Sequence, residues 1–213
     1  MEKSLHLCQG TLVKVSGIGS KRARAAAEDL VARGVTSLLS WGTAGALHER
    51  LSPGSLVLPK TVLSYEKAVF QTDAGWHRRL FTTLSGHLDL HTEALVESRF
   101  VLASTAAKSF LAARSAAIAV DMESASVARV ASRAELPFMV VRVISDPSDS
   151  VVPLCALAAV EESGTVSPAR LLRALVRHPG ELTVLIELAR NFRAARASLS
   201  AVVRLTGSRL LAP

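Results

Sequence analysis

The sequence predicts an α/β fold with a central mixed, largely parallel sheet flanked by helices. Three observations carry this. Short β-branched runs alternate with helix-patterned runs, Gly-containing turns join them, and two acids, Glu123 and Asp146, stand at the ends of neighbouring elements. In such folds the polar turns fall at the carboxyl ends of strands, where ligands bind.

Taken in order, Thr11–Val15 is a β-branched run and reads as a strand, and Ser16–Gly19 as a turn. Lys21–Ala32 has a helical pattern, with Gly34 as its stop. Val35–Trp41 reads as the next buried strand, followed by a second glycine turn, GTAGAL from Gly42. Ser55–Leu58 and Thr61–Ser64 are strand pieces split by Pro59. Glu66–Glu97 is the least regular and most polar stretch, and it reads as loops and exposed strands. Phe100–Leu102 is a further short strand, Thr105–Ala113 a helix and Ala116–Val120 a strand. Glu123–Arg133 is an Ala-rich helix, and Phe138–Ser145 a buried strand delivering Asp146 at its tip. From about Ser167 the pattern is helical and rich in arginine, so residues 1–213 make one domain with a basic helical C-terminal region over about 167–213.

Composition narrows the function classes. Of 213 residues, 49% are hydrophobic but only 4% aromatic, so the core is built mainly from Ala, Val and Leu. The net charge of +7 favours an anionic partner, although solubility alone also explains it. No aromatic stacking platform or recognition motif accompanies the charge, which argues against nucleic acid. Cys8 and Cys155 give neither a metal spacing nor a disulfide framework, which suits a reducing, cytoplasmic setting. His6, His48, His77, His87, His91 and His178 are scattered and form no ligand set, so no metal is expected. No serine or cysteine sits in a nucleophile elbow, and no run approaches the roughly 20 apolar residues of a membrane span.

Four constellations can carry chemistry. In SGIGSKRARAA, Gly19 opens a helix whose free N–H groups suit an anion, but the third glycine of the dinucleotide fingerprint and the Lys-Ser/Thr of a P-loop are both missing. The other reading is a tight turn without a ligand. Gly42 and Gly45 bracket Thr43, exposing a hydroxyl beside backbone amides to a phosphate or a sugar, or forming a plain turn. The Glu123 carboxylate can accept from two adjacent hydroxyls, as on a ribose, with Met122 as an adaptable apolar wall; equally, it is an acid well placed in the first turn of a helix. Asp146 follows Ser145 at the end of a buried strand, where a desolvated acid can pass a proton to a leaving group; alternatively it forms an Asx turn before Pro147. Asp149 lies in the loop beyond and should be more exposed.

Together, SGIG at Ser16, GTAGAL at Gly42, PGSLVLP at Pro53, VDMESAS at Val120 and RVISD at Arg142 resemble the nucleoside phosphorylase and nucleosidase superfamily in order and spacing. This superfamily contains the purine nucleoside phosphorylases and the methylthioadenosine/S-adenosylhomocysteine nucleosidases. The Arg-rich tail and DPSDSVVP look most like the hopanoid-associated phosphorylases, which act on adenosylhopane. The resemblance implies a three-layer nucleoside phosphorylase-like fold and cleavage of an N-glycosidic bond. It makes Asp146 the acid at the purine, with Ser145 beside it, and Glu123 and Met122 the ribose contacts. It puts Thr43 near sugar and nucleophile, Gly19 and Thr43 at phosphate, and Ser104–Lys108 beside the base. Implied partners are a purine nucleoside, a membrane-embedded hopanoid included, phosphate as co-substrate, and further copies of the chain in a homo-oligomer.

The chain also departs from that pattern. Family members begin with a strand and a glutamate-containing turn that supplies a base for the attacking water; here ten residues precede Thr11, with Glu2 the sole acid, so the first strand is expected to be missing. Ala46 replaces a family glycine. In the tail, Leu185, Leu188, Phe192, Leu199 and Val203 alternate with Arg190, Arg193, Arg196 and Arg204, the pattern either of a helix lying on an anionic membrane surface, peripheral on the inner membrane, or of one packed on its own domain with snorkelling arginines.

Overall fold

A computed structural model describes residues 11–151, 180 and 182–211. Its elements are α1 (Ser20–Ala32), β1 (Leu38–Ala46), β2 (Leu56–Val57), β3 (Thr61–Leu63), β4 (Val69–Gln71), α2 (Ala74–Leu84), β5 (Leu90–His91), β6 (Leu95–Glu97), α3 (Thr105–Ser115), β7 (Ala119–Asp121), α4 (Ser124–Arg133), β8 (Phe138–Asp146) and α5 (Leu182–Thr206), closed by a 3-10 turn at Gly207–Leu211. Cys8, Cys155, His6, His178 and the start of the expected C-terminal helical region lie outside the described residues.

The strands form one mixed sheet in the order β4-β3-β6-β7-β1-β8-β2-β5. β8 is buried along nearly its whole length and sorts the core by its period of two. Phe138, Val140 and Ile144 pack with Ala27 of α1 and Ala125, Ala128 and Ala131 of α4 on one face. Met139, Val141 and Val143 pack with Trp76, Leu80 and Leu84 of α2 and Ala195, Leu199 and Val202 of α5 on the other. This is the three-layer arrangement that the sequence led us to expect. The sheet is more mixed than its β-branched runs suggested: β1 runs parallel to β8 but antiparallel to β7, and β8 is antiparallel to β2.

Several elements differ from the sequence reading. GTAGAL is not a turn: Gly42–Ala46 completes β1, because β8 on one side and β7 on the other supply ladder partners that outweigh the turn propensity of glycine. Thr11–Val15 is not a strand; it has no sheet partner in the described structure, and Leu12, Val13 and Val15 are exposed. Phe100–Leu102 is likewise coil, with Phe100 75% exposed. The stretch read as loops contains α2, which the Asp73 carboxylate caps by accepting from the Trp76 N–H at 2.6 Å. α2 buries Trp76, His77, Leu80 and Leu84, and the Trp76 indole N–H donates to the Leu210 carbonyl at 3.0 Å, fixing the chain end onto the helix.

α5 bears out the reading of a helix packed on its own domain in its second half. Its second half is packed on β8 and α2 through Ala195, Leu199, Val202 and Thr206. Its first half leaves Leu182, Val184, Ile186 and Phe192 exposed. No described helix is long and apolar enough to cross a membrane.

Candidate active site

The floor of the site is the glycine-bearing end of β1. Gly45 pairs with Asp146 of β8 on one side and Val120 of β7 on the other, so one residue separates the strand ends that carry the two expected acids. A β-carbon at Gly45 would lie 3.2 Å from Asp146 Oδ2 and 3.3 Å from a Val120 methyl, which explains the glycine there. The register between β1 and β8 skips Ser145: Ala44 faces Ile144, and Gly45 faces Asp146. Such a bulge re-aims the residue that follows it, here Asp146. Ser145 itself is buried.

Glu123 stands at the N-cap of α4 but does not cap it with its side chain. Its carboxylate reaches instead to the start of α1, where Oε1 accepts the Gly19 N–H at 2.9 Å and Oε2 accepts the Met122 N–H at 3.3 Å. Gly19 has φ of 101°, a conformation that favours glycine and aims its N–H at the acid. The anion held at this helix N-terminus is therefore the protein's own. Met122 is half-buried beside it and Thr43 is half-buried within β1.

Beneath Glu123 lies Arg142, which the sequence reading treated only as part of a motif. Its guanidinium is 3.5 Å from Glu123 Oε2 and 2.8 Å from Asp121 Oδ2. It also donates to the Ser40 hydroxyl at 3.0 Å, the Ser124 hydroxyl at 3.2 Å and the Thr43 carbonyl at 3.3 Å. Asp121 accepts from the Glu123 and Ser124 amides, so it organises the turn into α4. Burial pushes the Glu123 carboxyl above the usual carboxylate range, Arg142 opposes this, and the neighbouring Asp121 charge adds to it.

A third carboxyl, Glu97 at the end of β6, is buried and accepts from the Ser126 N–H at 2.7 Å and the Ser126 hydroxyl at 3.0 Å. Desolvation, with the Asp121 and Glu123 charges nearby, pushes it up to about 7. Nothing in the sequence marked Glu97 as buried; its one sign is its place at the end of the apolar run Ala94–Val96.

Asp146 is itself engaged. Its Oδ2 lies 2.9 Å from the Lys108 ammonium, and its Oδ1 accepts from the Ser150 hydroxyl. Of the Ser104–Lys108 segment, Ser104 caps α3, while Lys108 is buried against Asp146. Asp149 is exposed.

The remaining candidates separate from this centre. The buried His77 ring hydrogen-bonds the Leu58 carbonyl at 2.9 Å, and burial lowers its pKa, marking a structural imidazole. Among the described residues no group of three His, Cys, Asp or Glu side chains could hold a metal ion. A hollow lined by Phe70, Asp73, Ser132 and Phe138 lies at the other end of β8 from Asp146, and its one ionisable residue, Asp73, already caps α2.

Residues 3–177 match a family model described as the phosphorylase superfamily. The chain belongs to this superfamily. It is 28% identical over 149 residues to the 5'-methylthioadenosine/S-adenosylhomocysteine nucleosidase of Buchnera aphidicola subsp. Baizongia pistaciae, covering 54% of this chain and 53% of that protein. The homologous nucleosidase from the Schizaphis graminum subspecies is 27% identical, again with 53% and 56% covered. The chain thus spans about half the length of the curated superfamily members it matches. The same fold occurs in a Neisseria meningitidis nucleosidase of this type in complex with methylthio-immucillin-A, at a TM-score of 0.68, 17% identity and coverage of 91% of this chain and 78% of that one. It occurs too in a Helicobacter pylori nucleosidase mutant with 5'-methylthioadenosine in the active site, at a TM-score of 0.60, 24% identity and coverage of 76% and 78%.

Proposed function

We propose that the protein cleaves the N-glycosidic bond of a purine nucleoside in the cytoplasm, with 5'-methylthioadenosine or a related 5'-substituted adenosine as substrate and adenine as product. The observation that carries this is the pairing of Gly45 with both Asp146 and Val120, which sets an acid for the base and, through Met122 and Glu123, a carboxylate for the ribose on either side of one strand. Bond cleavage builds positive charge on the sugar and negative charge on the base. Glu123 offsets the first by accepting from the ribose hydroxyls, and Asp146 offsets the second with a proton.

Water is the nucleophile in this reading, with phosphate as the alternative co-substrate. The Gly19 N–H, expected at phosphate, donates to Glu123, and the Arg142 guanidinium is committed to Asp121, Glu123, Ser40 and Ser124. Adenine release that requires added phosphate would replace hydrolysis by phosphorolysis.

A second reading, adenosylhopane as the nucleoside, draws on α5. Its exposed Leu182, Val184, Ile186 and Phe192 stand on the same helix as the exposed Arg190, Arg193 and Arg196, a composition suited to an anionic lipid surface holding such a substrate. The exposed Phe100 and Phe110 offer a surface to a second copy in a homo-oligomer.

Adenine release is the test. Wild-type protein should free adenine from 5'-methylthioadenosine, and Asp146→Asn should lose about a hundredfold or more in kcat while remaining folded. Undiminished release by Asp146→Asn sinks the assignment. Faster release from a vesicle-embedded hopanoid nucleoside than from 5'-methylthioadenosine selects the second reading.

A further inference from the structure

We propose that Lys108 is a positioning residue that supplies the proton Asp146 delivers to the departing purine. The inference rests on the nucleosidase reading above and adds to it a role for Lys108, in the first turn of α3 and in the segment that the resemblance put beside the base.

Lys108 is 1% exposed, a rare state for a lysine. Its ammonium contacts Asp146 Oδ2 at 2.9 Å, the Pro147 carbonyl at 2.6 Å, the Ser150 carbonyl at 3.0 Å and the Ser150 hydroxyl at 3.1 Å. Asp146 is the carboxylate facing it; Asp149 in the same loop is exposed. The lysine approaches Oδ2, while Oδ1 is held by the Ser150 hydroxyl, which can turn away when a base arrives. Asp146 keeps 23% of its side chain open to solvent, whereas Lys108 is sealed behind it. This order, from cation to acid to solvent-facing opening, is a route for one proton.

The balance is simple. A Lys108 N–H bond breaks and its proton moves to Asp146 Oδ2, converting ammonium and carboxylate into amine and carboxylic acid with no change in total charge. The carboxylic acid then turns about its Cβ–Cγ bond to present that proton to the pocket, and protonates the purine ring nitrogen as the glycosidic electron pair passes to the base. Attack of water on the sugar releases a proton, and the amine recovers its own through Asp146. A carboxylate paired with a buried ammonium has no proton of its own to give, so the lysine answers a need that the ion pair itself creates. The exchangeable proton belongs to the pair rather than to either residue.

A purely structural lysine, tying α3 to the loop after β8, would do its work in any form that keeps charge and contacts. Lys108→Arg keeps the charge but cannot release a proton. Lys108→Met removes both. We expect kcat for adenine release to fall about a hundredfold in both variants, with KM little changed. In Lys108→Met the alkaline limb of the pH profile should also change, because the pair that shared the proton is broken. Wild-type kcat and pH profile in Lys108→Arg overturn the proposal, as does a wild-type enzyme whose activity is already lost on the acid side of neutrality, which decides the matter should neither variant fold. Full activity in Asp146→Asn, by contrast, removes the nucleosidase assignment of Asp146 and the relay with it.

Discussion

Gly42 and Arg142 face each other across the β1–β8 ladder so closely that a β-carbon at position 42 would overlap the guanidinium Nη1 and force it to shift. The guanidinium cannot yield easily, because Asp121, Ser40 and Ser124 hold it from the other sides. Gly42→Ala should therefore destabilise the protein by about 1–3 kcal/mol, the range for overpacking a filled interior. It should also weaken nucleoside binding by shifting the cation beneath Glu123. Equilibrium unfolding in denaturant reads the first effect, and an unchanged midpoint would refute the contact.

Removing the cation itself should cost more. Arg142→Met leaves Asp121 and Glu123 buried without a counter-charge, and breaking such a pair from one side costs about 3–5 kcal/mol. The loss should shrink as pH falls and the Glu123 carboxyl, which burial already raises, takes up its proton. Denaturant titrations of variant and wild type at pH 5 and pH 8 measure this, and a difference that grows toward acid contradicts it.

Neither residue could have been given this role from the sequence. Position 42 reads as a turn glycine, and its reason for being glycine lies in a side chain from a distant strand. The strand Phe138–Asp146 and the helix Ser124–Arg133 were legible because continuous β-branched burial and an apolar stripe are local patterns. The acids at their ends followed directly. α2 left a signal that its polar face masked: Trp76, Leu80 and Leu84 recur every fourth residue behind Asp73, but His77, Arg78, Arg79, Thr82 and Thr83 dilute the pattern. Lys108 left none. A lysine in an Ala-rich helix looks solvated until β8 sets an aspartate 2.9 Å away.

Glu123 should govern sugar recognition rather than leaving-group chemistry. Glu123→Gln keeps an acceptor for the Gly19 N–H but loses the charge that strengthens hydrogen bonds from ribose hydroxyls. A hydrogen bond to a charged group contributes about 1–1.5 kcal/mol more than one to a neutral group, so KM for a ribonucleoside should rise about five- to tenfold. Inhibition by a 2',3'-dideoxy analogue, which lacks those hydroxyls, should be nearly the same in wild type and variant. Equal losses for both compounds would place Glu123 elsewhere in the reaction.

Glu97 should give the fold a pH dependence unrelated to the reacting groups. Its carboxyl is raised from an ordinary 4.5 to about 7 by burial beside Asp121 and Glu123. Below about pH 4.5 both the folded and the unfolded chain hold this proton, and its contribution is fully present. As pH rises from there to about 7, the unfolded chain releases the proton first, so stability falls, by about 3 kcal/mol once the folded form has ionised as well. Glu97→Gln removes the titration. The amide can still accept the Ser126 N–H and donate to the Ser126 hydroxyl, so the local contacts survive. The variant should match wild type near pH 4.5, exceed it in stability above pH 7, and lose the slope between. Parallel stability curves across that window would mean that Glu97 ionises in the folded protein as readily as in the unfolded chain.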